Sequence, residues 1–376
     1  MNLLQINKYY SPDIGGVETV VKQYSEFASS FFENVTVLTV HKKFKLTTTK
    51  SVINGVHIIR CSSFGTFFSM PISFSFFFEY FKIRNSYGIA HFHEPFPLGS
   101  ILLFIIPKAQ KVVISWHSDI IKQKFFKKLA QYFQKLLCIR ADVILTTSPN
   151  MINFSEVLSH HHEKTFILPL SINPEEYTYE NFSDTSWGLQ SNGYILFLGR
   201  LAYYKGINTI LDSLESLDLQ NIKLVIAGDG PMANSIKRWS LEHPTSSLVF
   251  INKHLSEGDK KKLLSNCLFF LFPSNSPAEA FGILQLEAMI YGKPIINTDL
   301  PTGVPWVSLN NTTGLTIPIN NSKSLTVAIN KLLGDRNLLY QYGKQAKNRV
   351  INNFSDNVVL QKLKDIYICL LSSDKR

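Results

Sequence analysis

The sequence lacks the features of disulfide-bonded, zinc-binding and membrane-spanning proteins. Its four cysteines lie far apart with no C-x-x-C pair, so neither a disulfide framework nor a zinc site is expected. No basic segment followed by an apolar core opens the chain, so no secretory leader is predicted. The longest apolar-looking stretch, residues 64–83, is interrupted by proline, serine, glutamate and lysine, which argues against a spanning helix. We therefore predict a cytoplasmic protein, free or peripheral on the inner face of the plasma membrane.

Charged residues make up only 18% of the 376 residues, and their balance differs between the two halves. Residues 1–170 hold 18 Lys and Arg against 10 Asp and Glu, a net +8, whereas residues 171–376 hold 20 against 18, a net +2. The basic half predicts an anionic partner such as a membrane surface or a phosphate group. A nucleic-acid partner is not predicted, because no helix-turn-helix, zinc or RNP-type motif accompanies the charge.

Short apolar runs alternate with amphipathic stretches along the whole chain. This pattern is typical of β-α-β units and predicts an α/β fold with parallel sheets. A polar, acidic segment at 173–192 separates two series of runs and is the predicted linker. We predict two Rossmann-like domains with sheets facing across a cleft. The predicted strands are 3–6, 35–40, 57–59, 89–92, 111–115 and 143–147, then 194–198, 224–227, 248–251, 268–272 and 294–297.

The predicted domains are residues 1–172 and residues 173–354. Helices are predicted at 17–31, 120–139 and 281–291. A last amphipathic helix is predicted at 355–371, with Ser355 as its N-cap. Its apolar side is formed by Val358, Val359, Leu363, Ile366 and Leu370.

Glycines mark two strand-to-helix turns that suit an anionic ligand. Gly15 and Gly16 precede the first helix, and Gly199-Arg200 follows a strand with Lys205-Gly206 just beyond. Glycine at such a turn lets backbone N–H groups approach a phosphate, and the helix dipole favours its charge. Arg and Lys at the carboxyl edge of a parallel sheet suit a diphosphate. The plainer interpretations are a tight turn that needs positive φ and two solvated cations.

A third glycine motif, at residues 228–233, formally fits the dinucleotide fingerprint G-x-G-x-x-A. That fingerprint expects an acidic residue about 20 positions further on, and the strand there ends in Asn252-Lys253-His254 instead. A structural turn explains the motif, since Pro231 suits the first position of a helix. An NAD-dependent oxidoreductase using Gly228 to Ala233 is the alternative that this motif leaves open.

The strongest signal is a pair of carboxylates, Glu279 and Glu287, on either side of a Phe281-Gly282 turn that opens a helix. Glu279 is placed in the loop before the helix and Glu287 about two turns along it. The backbone N–H groups of Phe281, Gly282, Ile283 and Leu284 can meet phosphate oxygens. Each carboxylate can accept hydrogen bonds from sugar hydroxyls. A single solvated glutamate would not explain two with a glycine between them.

Taken in order, these motifs resemble those of the retaining glycosyltransferases of family 4, which have the GT-B architecture of two Rossmann-like domains. The resemblance covers the whole chain. The motifs that carry it are Gly15-Gly16-Val17-Glu18, Trp116-His117-Ser118-Asp119, Gly199-Arg200 with Lys205-Gly206, Gly228-Asp229-Gly230-Pro231, and Glu279 to Glu287. It also implies that the last helix, residues 355–376, packs back on the first domain.

The resemblance implies a role for each matching residue. Arg200 and Lys205 would bind the donor diphosphate, Glu279 the donor-sugar hydroxyls and Glu287 the ribose, and His117 would lie beside the transferred sugar. The expected catalytic residues are His117, Arg200, Lys205 and Glu279. The expected donor-binding residues are Gly15, Gly16, Gly199, Gly230, Phe281, Gly282, Ile283 and Glu287. The expected acceptor-side residues are His93, Glu94 and Asp119, and no metal ligands are expected.

The implied reaction breaks the anomeric C–O bond of a nucleotide-diphosphate sugar and passes the sugar to a saccharide hydroxyl with retained configuration. The chain has no D-x-D segment, and Arg200 and Lys205 can replace a metal electrostatically, so no cofactor or metal is expected. The segment 298–306 resembles that of bacterial members that build O-antigen and other surface polysaccharides, often from GDP-mannose. A UDP-sugar donor, an epimerase, a glucan phosphorylase and a non-catalytic sugar-nucleotide-binding protein stay open.

The segment from Asp119 to Ile139 predicts a basic amphipathic helix. An apolar stripe recurs at helical spacing beside five lysines, and no acidic residue follows Asp119. Such a helix can lie on an anionic membrane and so reach a polyprenyl-diphosphate-linked acceptor. Alternatively, the stripe packs on the sheet and leaves a solvated basic face. The stripe is Ile121, Phe125, Leu129, Phe133 and Leu136, widened by Ile120, Phe126 and Leu137, and the lysines are Lys122, Lys124, Lys127, Lys128 and Lys135.

Overall fold

Two parallel sheets, each in its own unit of the chain, organise the fold. The computed structural model describes residues 1–13, 15–67, 70–120, 124–178, 187–244 and 246–372, with side chains except at 124–126. Unit 1 comprises Met1–Pro169 and Leu360–Arg376, and unit 2 comprises Leu170–Val359. The chain therefore changes unit at residues 169 and 359, compared with the predicted limits of 172 and 354.

Unit 1 is an α/β unit whose elements follow one another in short alternation. Its strands are β1 (Asn2–Ile6), β2 (Asn34–Val40), β3 (Thr49–Ile53), β4 (Val56–Cys61), β5 (Thr66–Phe67), β6 (Met70–Pro71), β7 (Ile89–Glu94), β8 (Lys111–Trp116), β9 (Val143–Thr146) and β10 (Thr165–Ile167). Its helices are α1 (Gly16–Ala28), α2 (Ser75–Ile83), α3 (Pro97–Ser100), α4 (Lys124–Arg140) and α5 (Pro149–Phe154), with a 3-10 turn at Ile101–Ile105.

The sheet of unit 1 has the strand order β10-β9-β8-β7-β1-β2-β4-β3 and is parallel except at its β3 edge. Strands β5 and β6 form a separate small hairpin. The main sheet runs outward from β1 through β2 to β4, and then returns to β7 on the other side of β1. Its topological switch point therefore lies between β1 and β7, where ligands bind in open α/β sheets.

Unit 2 repeats this plan. Its strands are β11 (Tyr194–Leu198), β12 (Lys223–Gly228), β13 (Leu248–Asn252), β14 (Phe270–Phe272), β15 (Ile295–Thr298) and β16 (Gly314–Ile317), and its helices are α6 (Ile207–Leu214), α7 (Ala233–Glu242), α8 (Glu257–Asn266), α9 (Ile283–Ile290), α10 (Val304–Val307), α11 (Ser322–Gly334) and α12 (Arg336–Asn353). The strand order β13-β12-β11-β14-β15-β16 is parallel throughout, so the switch point lies between β11 and β14.

The last helix, α13 (Asp356–Ser372), begins in unit 2 and continues in unit 1. The carbonyl of Ser355 accepts from the backbone N–H groups of Val358 and Val359, as an N-cap carbonyl does. The residues that α13 buries are Val359, Leu360, Leu363 and Tyr367. Ile366 and Leu370, which were predicted on the buried side, are only half-buried.

The segment predicted as a linker, residues 173–192, is tied to unit 2 at both of its described ends. Leu189 is buried in the core of unit 2, and the Tyr291 hydroxyl donates to the carbonyl of Thr178. Lys261 Nζ donates to the carbonyl of Glu176. The absence of periodicity therefore indicated irregular structure rather than a free connection.

Candidate functional site

The switch point of unit 2 brings together the loops that follow β11 and β14. A Cβ at Gly206 would lie 1.8 Å from the carbonyl oxygen of Pro273, and one at Gly199 would lie 3.3 Å from Leu284 Cδ1. The Asn275 backbone N–H also donates to the carbonyl of Tyr204, at 2.9 Å. The segments 199–206 and 273–284, predicted separately from the sequence, therefore pack directly on each other.

Lys205 and Glu279 form an ion pair across this junction. Nζ of Lys205 lies 2.5 Å from Oε2 of Glu279, and the side chains are only 11% and 13% exposed. The ammonium also lies 5.1 Å from the ring centroid of Phe272. An isolated charge would be costly in such a place, and the ion pair offsets that cost. The pair leaves a cation and a carboxylate side by side at the sheet edge.

The N-terminus of α9 lies in the same junction. Gly282 is its N-cap at φ 83, and a Cβ there would come within 2.6 Å of the Phe272 ring, so the turn requires glycine. Within the described part of the chain, no acceptor is found for the backbone N–H groups of Phe281, Gly282, Ile283 and Leu284. The Phe281 side chain packs in the core, so only its backbone can reach a ligand. These free N–H groups and the helix dipole suit a phosphate.

Arg200 and Gly230 lie at the neighbouring strand ends. The Arg200 side chain is exposed, and among the described residues it has no hydrogen-bond or ion-pair partner. A Cβ at Gly230 would lie 2.6 Å from the Leu201 carbonyl oxygen, and one at Gly228 only 1.9 Å from that of Gly199. The glycines of the 228–233 motif are therefore needed so that two strand ends can approach each other. This packing is the structural turn that Pro231 suggested.

Glu287 has a partner that the sequence did not indicate. Its Oε2 lies 2.8 Å from Nζ of Lys260 on α8, and the same ammonium lies 2.7 Å from Oε2 of Glu257. Burial alone would lower the pKa of Lys260, but Glu287 and Glu257 outweigh burial and raise it. Glu287 is thus part of a charged cluster with α8, whereas Glu279 pairs with Lys205. The two glutamates occupy different environments.

In unit 1, Gly15 and Gly16 follow β1 at its switch point. Gly15 is the N-cap of α1 at φ 178, and Gly16 is not among the positive-φ residues, so the prediction that this turn needs positive φ is wrong. A Cβ at Gly16 would meet no atom within 4 Å, and one at Gly15 would meet only the Glu18 carboxylate. The described fold therefore does not itself require glycine at position 16.

Three histidines on β7 and beyond β8 stack beside that switch point. The ring centroids of His91 and His93 are 4.5 Å apart, and those of His93 and His117 are 5.3 Å apart. The parallel register explains the grouping, because His91 lies opposite Gln5 of β1 and His93 lies opposite Ser115 of β8. His93 and His117, predicted as separate acceptor-side and catalytic residues, are thus neighbours.

A chain of hydrogen bonds runs through these rings from α13 to His117. Gln5 lies at its centre, with Oε1 2.8 Å from His93 Nε2 and Nε2 3.2 Å from the Tyr367 hydroxyl. His93 Nδ1 lies 3.0 Å from His117 Nε2, and His91 Nδ1 lies 2.6 Å from the Tyr367 hydroxyl. Neither Gln5 nor Tyr367 was singled out by sequence motifs. Only the strand register and the return of α13 reveal them.

The direction of the hydrogen bonds fixes the protons on the rings. In this orientation the Gln5 Oε1 atom can only accept, so His93 donates through Nε2 and accepts through Nδ1. His117 then donates through Nε2, and its Nδ1 is the unprotonated nitrogen. Burial lowers the pKa of His91 to about 3 and that of His117 to about 4, and lowers the pKa of His93 well below its usual value. The rings are therefore neutral at pH 7.

Glu94 and Asp119, the other predicted acceptor-side residues, have local partners. Glu94 is buried and accepts from the Phe96 backbone N–H, from Ser100 Oγ and from Gln134 Nε2, all within 2.8 Å. Asp119 Oδ1 accepts from Trp116 Nε1 and from Ser155 Oγ, each at 2.8 Å. Both carboxylates hold the loops that follow β7 and β8 in place. Their contribution to acceptor binding stays a prediction.

Two family models match the chain, one in each half. The model described as Glycosyltransferase Family 4 matches residues 14–176, and the model described as Glycosyl transferases group 1 matches residues 183–349. The chain is a family 4 glycosyltransferase of the GT-B type. This membership makes the protein a hexosyltransferase, so the oxidoreductase alternative for residues 228–233 is not supported.

Two relatives of this glycosyltransferase have informative names. The O-antigen chain mannosyltransferase C of Escherichia coli is 28% identical over 375 residues, which cover 99% of this chain and 100% of that protein. The D-rhamnosyltransferase WbpZ of Pseudomonas aeruginosa is 28% identical over 322 residues, which cover 85% and 83%.

Solved structures share the fold of this glycosyltransferase at lower identity. The sucrose-phosphate synthase from Thermosynechococcus elongatus matches with a TM-score of 0.80 at 17% identity, covering 99% of each chain. Anabaena HepE in complex with UDP matches with a TM-score of 0.75 at 16% identity, covering 98% of this chain and 100% of that one.

The basic helix α4 of the glycosyltransferase buries only part of the predicted apolar stripe. Its buried residues are Ala130, Gln134, Leu137 and Cys138, whereas Leu129 of the predicted stripe is 56% exposed, and Phe133 and Leu136 are half-buried. Ile121 and Lys122, and the side chains of Lys124, Phe125 and Phe126, lie outside the described residues. The buried face of α4 includes the polar Gln134, which donates to buried Glu94. A pattern of apolar residues does not include this amide, so the predicted stripe differs from the observed buried face. In the described part of the chain no helix is long and apolar enough to cross a membrane.

Proposed function

We propose that this glycosyltransferase moves a sugar, with retained configuration, from a nucleotide-diphosphate sugar to a saccharide hydroxyl in the synthesis of O-antigen or a related surface polysaccharide. The observation that carries the donor assignment is the junction at the unit 2 switch point. There Arg200, the Lys205–Glu279 pair and the free N–H groups of α9 converge on the edge where such sheets bind ligands. The full-length similarity to an O-antigen chain mannosyltransferase supports the pathway.

The parts of the junction suit the charges that this reaction develops. Breaking the anomeric C–O bond leaves negative charge on the departing diphosphate and positive charge on the sugar ring. Arg200, Lys205 and the α9 N-terminus would stabilise the first, and Glu279 would hold the donor-sugar hydroxyls. The acceptor proton would pass to the departing phosphate oxygen as the new glycosidic bond forms. In this scheme no enzymic nucleophile or metal takes part.

The proposed donor is GDP-mannose or a UDP-sugar. Mannosyl and rhamnosyl transfer by the named relatives favour a GDP-linked sugar, whereas UDP in HepE supports a UDP-linked one. Thermal unfolding of the full chain with GDP, UDP and their sugars tests this directly. A Tm increase with one nucleotide, lost in Arg200→Ala, is expected. No increase with either nucleotide at millimolar concentration would contradict a donor site at this junction.

The proposed acceptor is a saccharide linked to polyprenyl diphosphate, which places the enzyme on the cytoplasmic face of the plasma membrane. Exposed Leu129, Tyr132 and Ile139 lie on α4 with exposed Lys128 and Lys135, so this helix can contact both the acyl region and anionic headgroups. Lys128→Glu/Lys135→Glu should weaken sedimentation with anionic vesicles. Equal sedimentation of this variant and the wild type would contradict docking through α4.

A further inference from the structure

Large apolar side chains are exposed at high density in one part of unit 1, between residues 44 and 81. The five that carry the argument form what we call the aromatic platform: Phe44, Leu46, Phe64, Ile72 and Phe74. Phe74 is 73% exposed and Phe44 is 65% exposed. Residues of this size are normally exposed singly on a soluble protein, and contiguous groups mark interaction sites.

The aromatic platform is contiguous and held by backbone hydrogen bonds. The ring centroid of Phe64 lies 6.5 Å from that of Phe44 and 5.9 Å from that of Phe74. Lys45 and Ser63 exchange two backbone hydrogen bonds of 2.8 and 2.7 Å, and the Phe64 N–H donates to the carbonyl of Ile72 at 2.9 Å. Three segments that are distant in sequence therefore present one fixed apolar surface.

The chain segments that form the aromatic platform carry basic residues and no acidic ones. Lys42, Lys43 and Lys45 are exposed and alternate with Phe44 and Leu46 along the chain. Residues 34–78 contain no Asp or Glu at all. A surface that combines exposed aromatic rings with exposed lysines fits a partner that has an apolar interior and an anionic surface. An anionic lipid bilayer has this composition.

The exposed surface continues from the platform toward α4. Phe78 and Phe81, on α2, are exposed, and Arg84 Nη1 donates to the carbonyl of Ile105. Next to Ile105, exposed Phe104 lies 6.1 Å from Phe133 of α4, measured between ring centroids. Exposed aromatic side chains thus extend from the platform along α2 and the 101–105 turn to α4.

We propose that the aromatic platform inserts into an anionic membrane leaflet and sets the orientation of unit 1 on it. The proposal rests on the proposed function only for its purpose, which is to present a lipid-linked acceptor. The platform follows the carboxyl ends of β2 and β4, whereas His93 lies at the carboxyl end of β7 and His117 follows that of β8. Because these strands are parallel, all four ends lie at one edge of the sheet. Insertion there brings the acceptor headgroup to the histidine edge.

Sedimentation of the full chain with vesicles tests the platform. The vesicles are pure phosphatidylcholine or phosphatidylcholine with phosphatidylglycerol, each at low and high salt. The platform variant is Phe44→Ser/Phe64→Ser/Phe74→Ser, and the charge variant is Lys42→Glu/Lys43→Glu/Lys45→Glu. The matched control is Leu241→Ser/Val327→Ser/Tyr340→Ser, which removes equally exposed side chains from unit 2.

The wild type and the control should bind anionic vesicles alike, and each platform or charge variant should bind at least ~10-fold more weakly. Binding of the platform variant equal to that of the control would overturn the proposal. Concentration-dependent dimerisation of the wild type that the platform variant abolishes would also overturn it, since the occupant would then be a second copy. The nucleotide-dependent Tm increase is measured in parallel. If the wild type shows no such Tm increase, the donor-site assignment fails. The proposal for the aromatic platform depends on vesicle binding alone, so the two failures can be told apart.

Discussion

At the residue scale, the three donor-site side chains differ in how far the fold depends on them. Lys205 is buried and pairs with the largely buried Glu279, so removing either leaves an uncompensated charge. Arg200 is exposed, so its removal costs the fold little. Replacing either member of this pair is therefore expected to affect folding, whereas replacing Arg200 is not.

Lys205→Ala and Glu279→Ala should each destabilise unit 2 by about 3 kcal/mol, whereas Arg200→Ala should change stability by less than about 0.5 kcal/mol. All three should lower kcat/KM at least ~100-fold, since each removes a contact to developing charge worth about 2.7 kcal/mol. Chemical denaturation and initial rates at a temperature where every variant is folded separate the two effects. Arg200→Ala with kcat/KM within threefold of wild type would contradict the donor assignment.

Gln5 is expected to set the tautomer of His117 through His93. Gln5→Leu removes the acceptor for His93 Nε2, so His117 should become a mixture of tautomers and kcat should fall about 10-fold. Nitrogen-15 NMR of labelled histidine reports which nitrogen of His117 is protonated, and the wild type should show the proton on Nε2. Gln5→Glu keeps an acceptor and should restore the tautomer.

The matched control for Gln5 is Ser115→Ala, which removes a contact to His91 and leaves the Gln5–His93 and Gln5–Tyr367 contacts in place, so it should not change the His117 tautomer. A proton on Nδ1 of His117 in the wild type would contradict the derived hydrogen-bond direction. So would a tautomer that Gln5→Leu leaves unchanged, because the effect of Gln5 on activity would then be structural.

The three buried histidines predict a stability that falls in mild acid. Their pKa values are lowered in the folded state, to about 3 for His91 and about 4 for His117, from about 6.5 in the unfolded chain. Their contribution is therefore complete above pH ~6.5 and is lost as the pH falls from ~6.5 toward ~4, because the unfolded state binds more protons. At pH 5 the lowered pKa values of His91 and His117 should each cost about 2 kcal/mol of stability.

Chemical denaturation between pH 5 and 7 measures this loss. Replacing one of the three, as in His91→Asn, should reduce the slope of unfolding free energy against pH, and His254→Asn, on an exposed ring, should not change it. A pH-independent unfolding free energy across this range would contradict neutral, buried rings in the folded state.

Sequence motifs located Lys205, Glu279 and His117 but did not show which residues they contact. Glu279 is 74 positions from Lys205, and Tyr367 is 276 positions from His91, so only the sheet register and chain return join them. Lys260 is the first of three consecutive lysines, and nothing in that run marks the one that faces Glu287. A motif identifies the residues within one loop, whereas the contact partner of each residue depends on which loops the topology brings together.

At the element scale, the strands and helices that were predicted lie within a few residues of the observed ones, but other elements were missed, including the amphipathic helices α6 and α11. The buried strand Tyr194–Leu198 was predicted with its observed bounds. Strand β3 was not predicted, because most of its residues are exposed at the sheet edge and no apolar run marks it. Helix α12, with a mostly polar sequence, was missed for the same reason.

A glycine precedes or begins the helix at each switch point, but the fold requires glycine only at position 206 and not at position 16. Gly206→Ala should destabilise unit 2 strongly, by at least ~2 kcal/mol, because φ is 71 and the added Cβ would overlap the Pro273 carbonyl. Gly16→Ala meets no atom and should leave stability within about 0.5 kcal/mol. It should instead lower kcat/KM at least ~10-fold, if the bare N–H of position 16 contacts the diphosphate.

Thermal unfolding and initial rates of the two glycine variants give the comparison. Gly334→Ala is the control, since it too adds a Cβ that meets no atom, at the end of α11 and away from both switch points. Full activity of Gly16→Ala would contradict a donor contact at the N-terminus of α1. A large loss of its stability would contradict the open space that the fold leaves there.

At the scale of the whole molecule, the two units are not independent lengths of chain, because α13 completes unit 1 from the far end of the sequence. Its residues from Leu360 onward belong to unit 1, after 190 residues of unit 2 that run from Leu170 to Val359. Tyr367 is fully buried there, and its ring centroid lies 5.6 Å from that of Phe32. The amphipathic pattern predicted the helix. The predicted apolar side did not include Tyr367, because its hydroxyl makes it a partly polar residue.

Ending the chain at residue 359 should therefore unfold unit 1 and spare unit 2. The truncation removes Leu360, Leu363 and Tyr367 from the core of unit 1, at about 2–4 kcal/mol each, which approaches the whole stability of a domain. All of Leu170–Val359 is retained, so the unit 2 transition in calorimetry should shift by only a few degrees.

A chain ending at residue 372 is the control and should keep both transitions. Loss of both transitions in the shorter chain would show that unit 2 depends on a folded unit 1. Retention of both would show that the buried Tyr367 and its neighbours are dispensable, contrary to the hydrogen bonds that join this helix to Gln5 and His91.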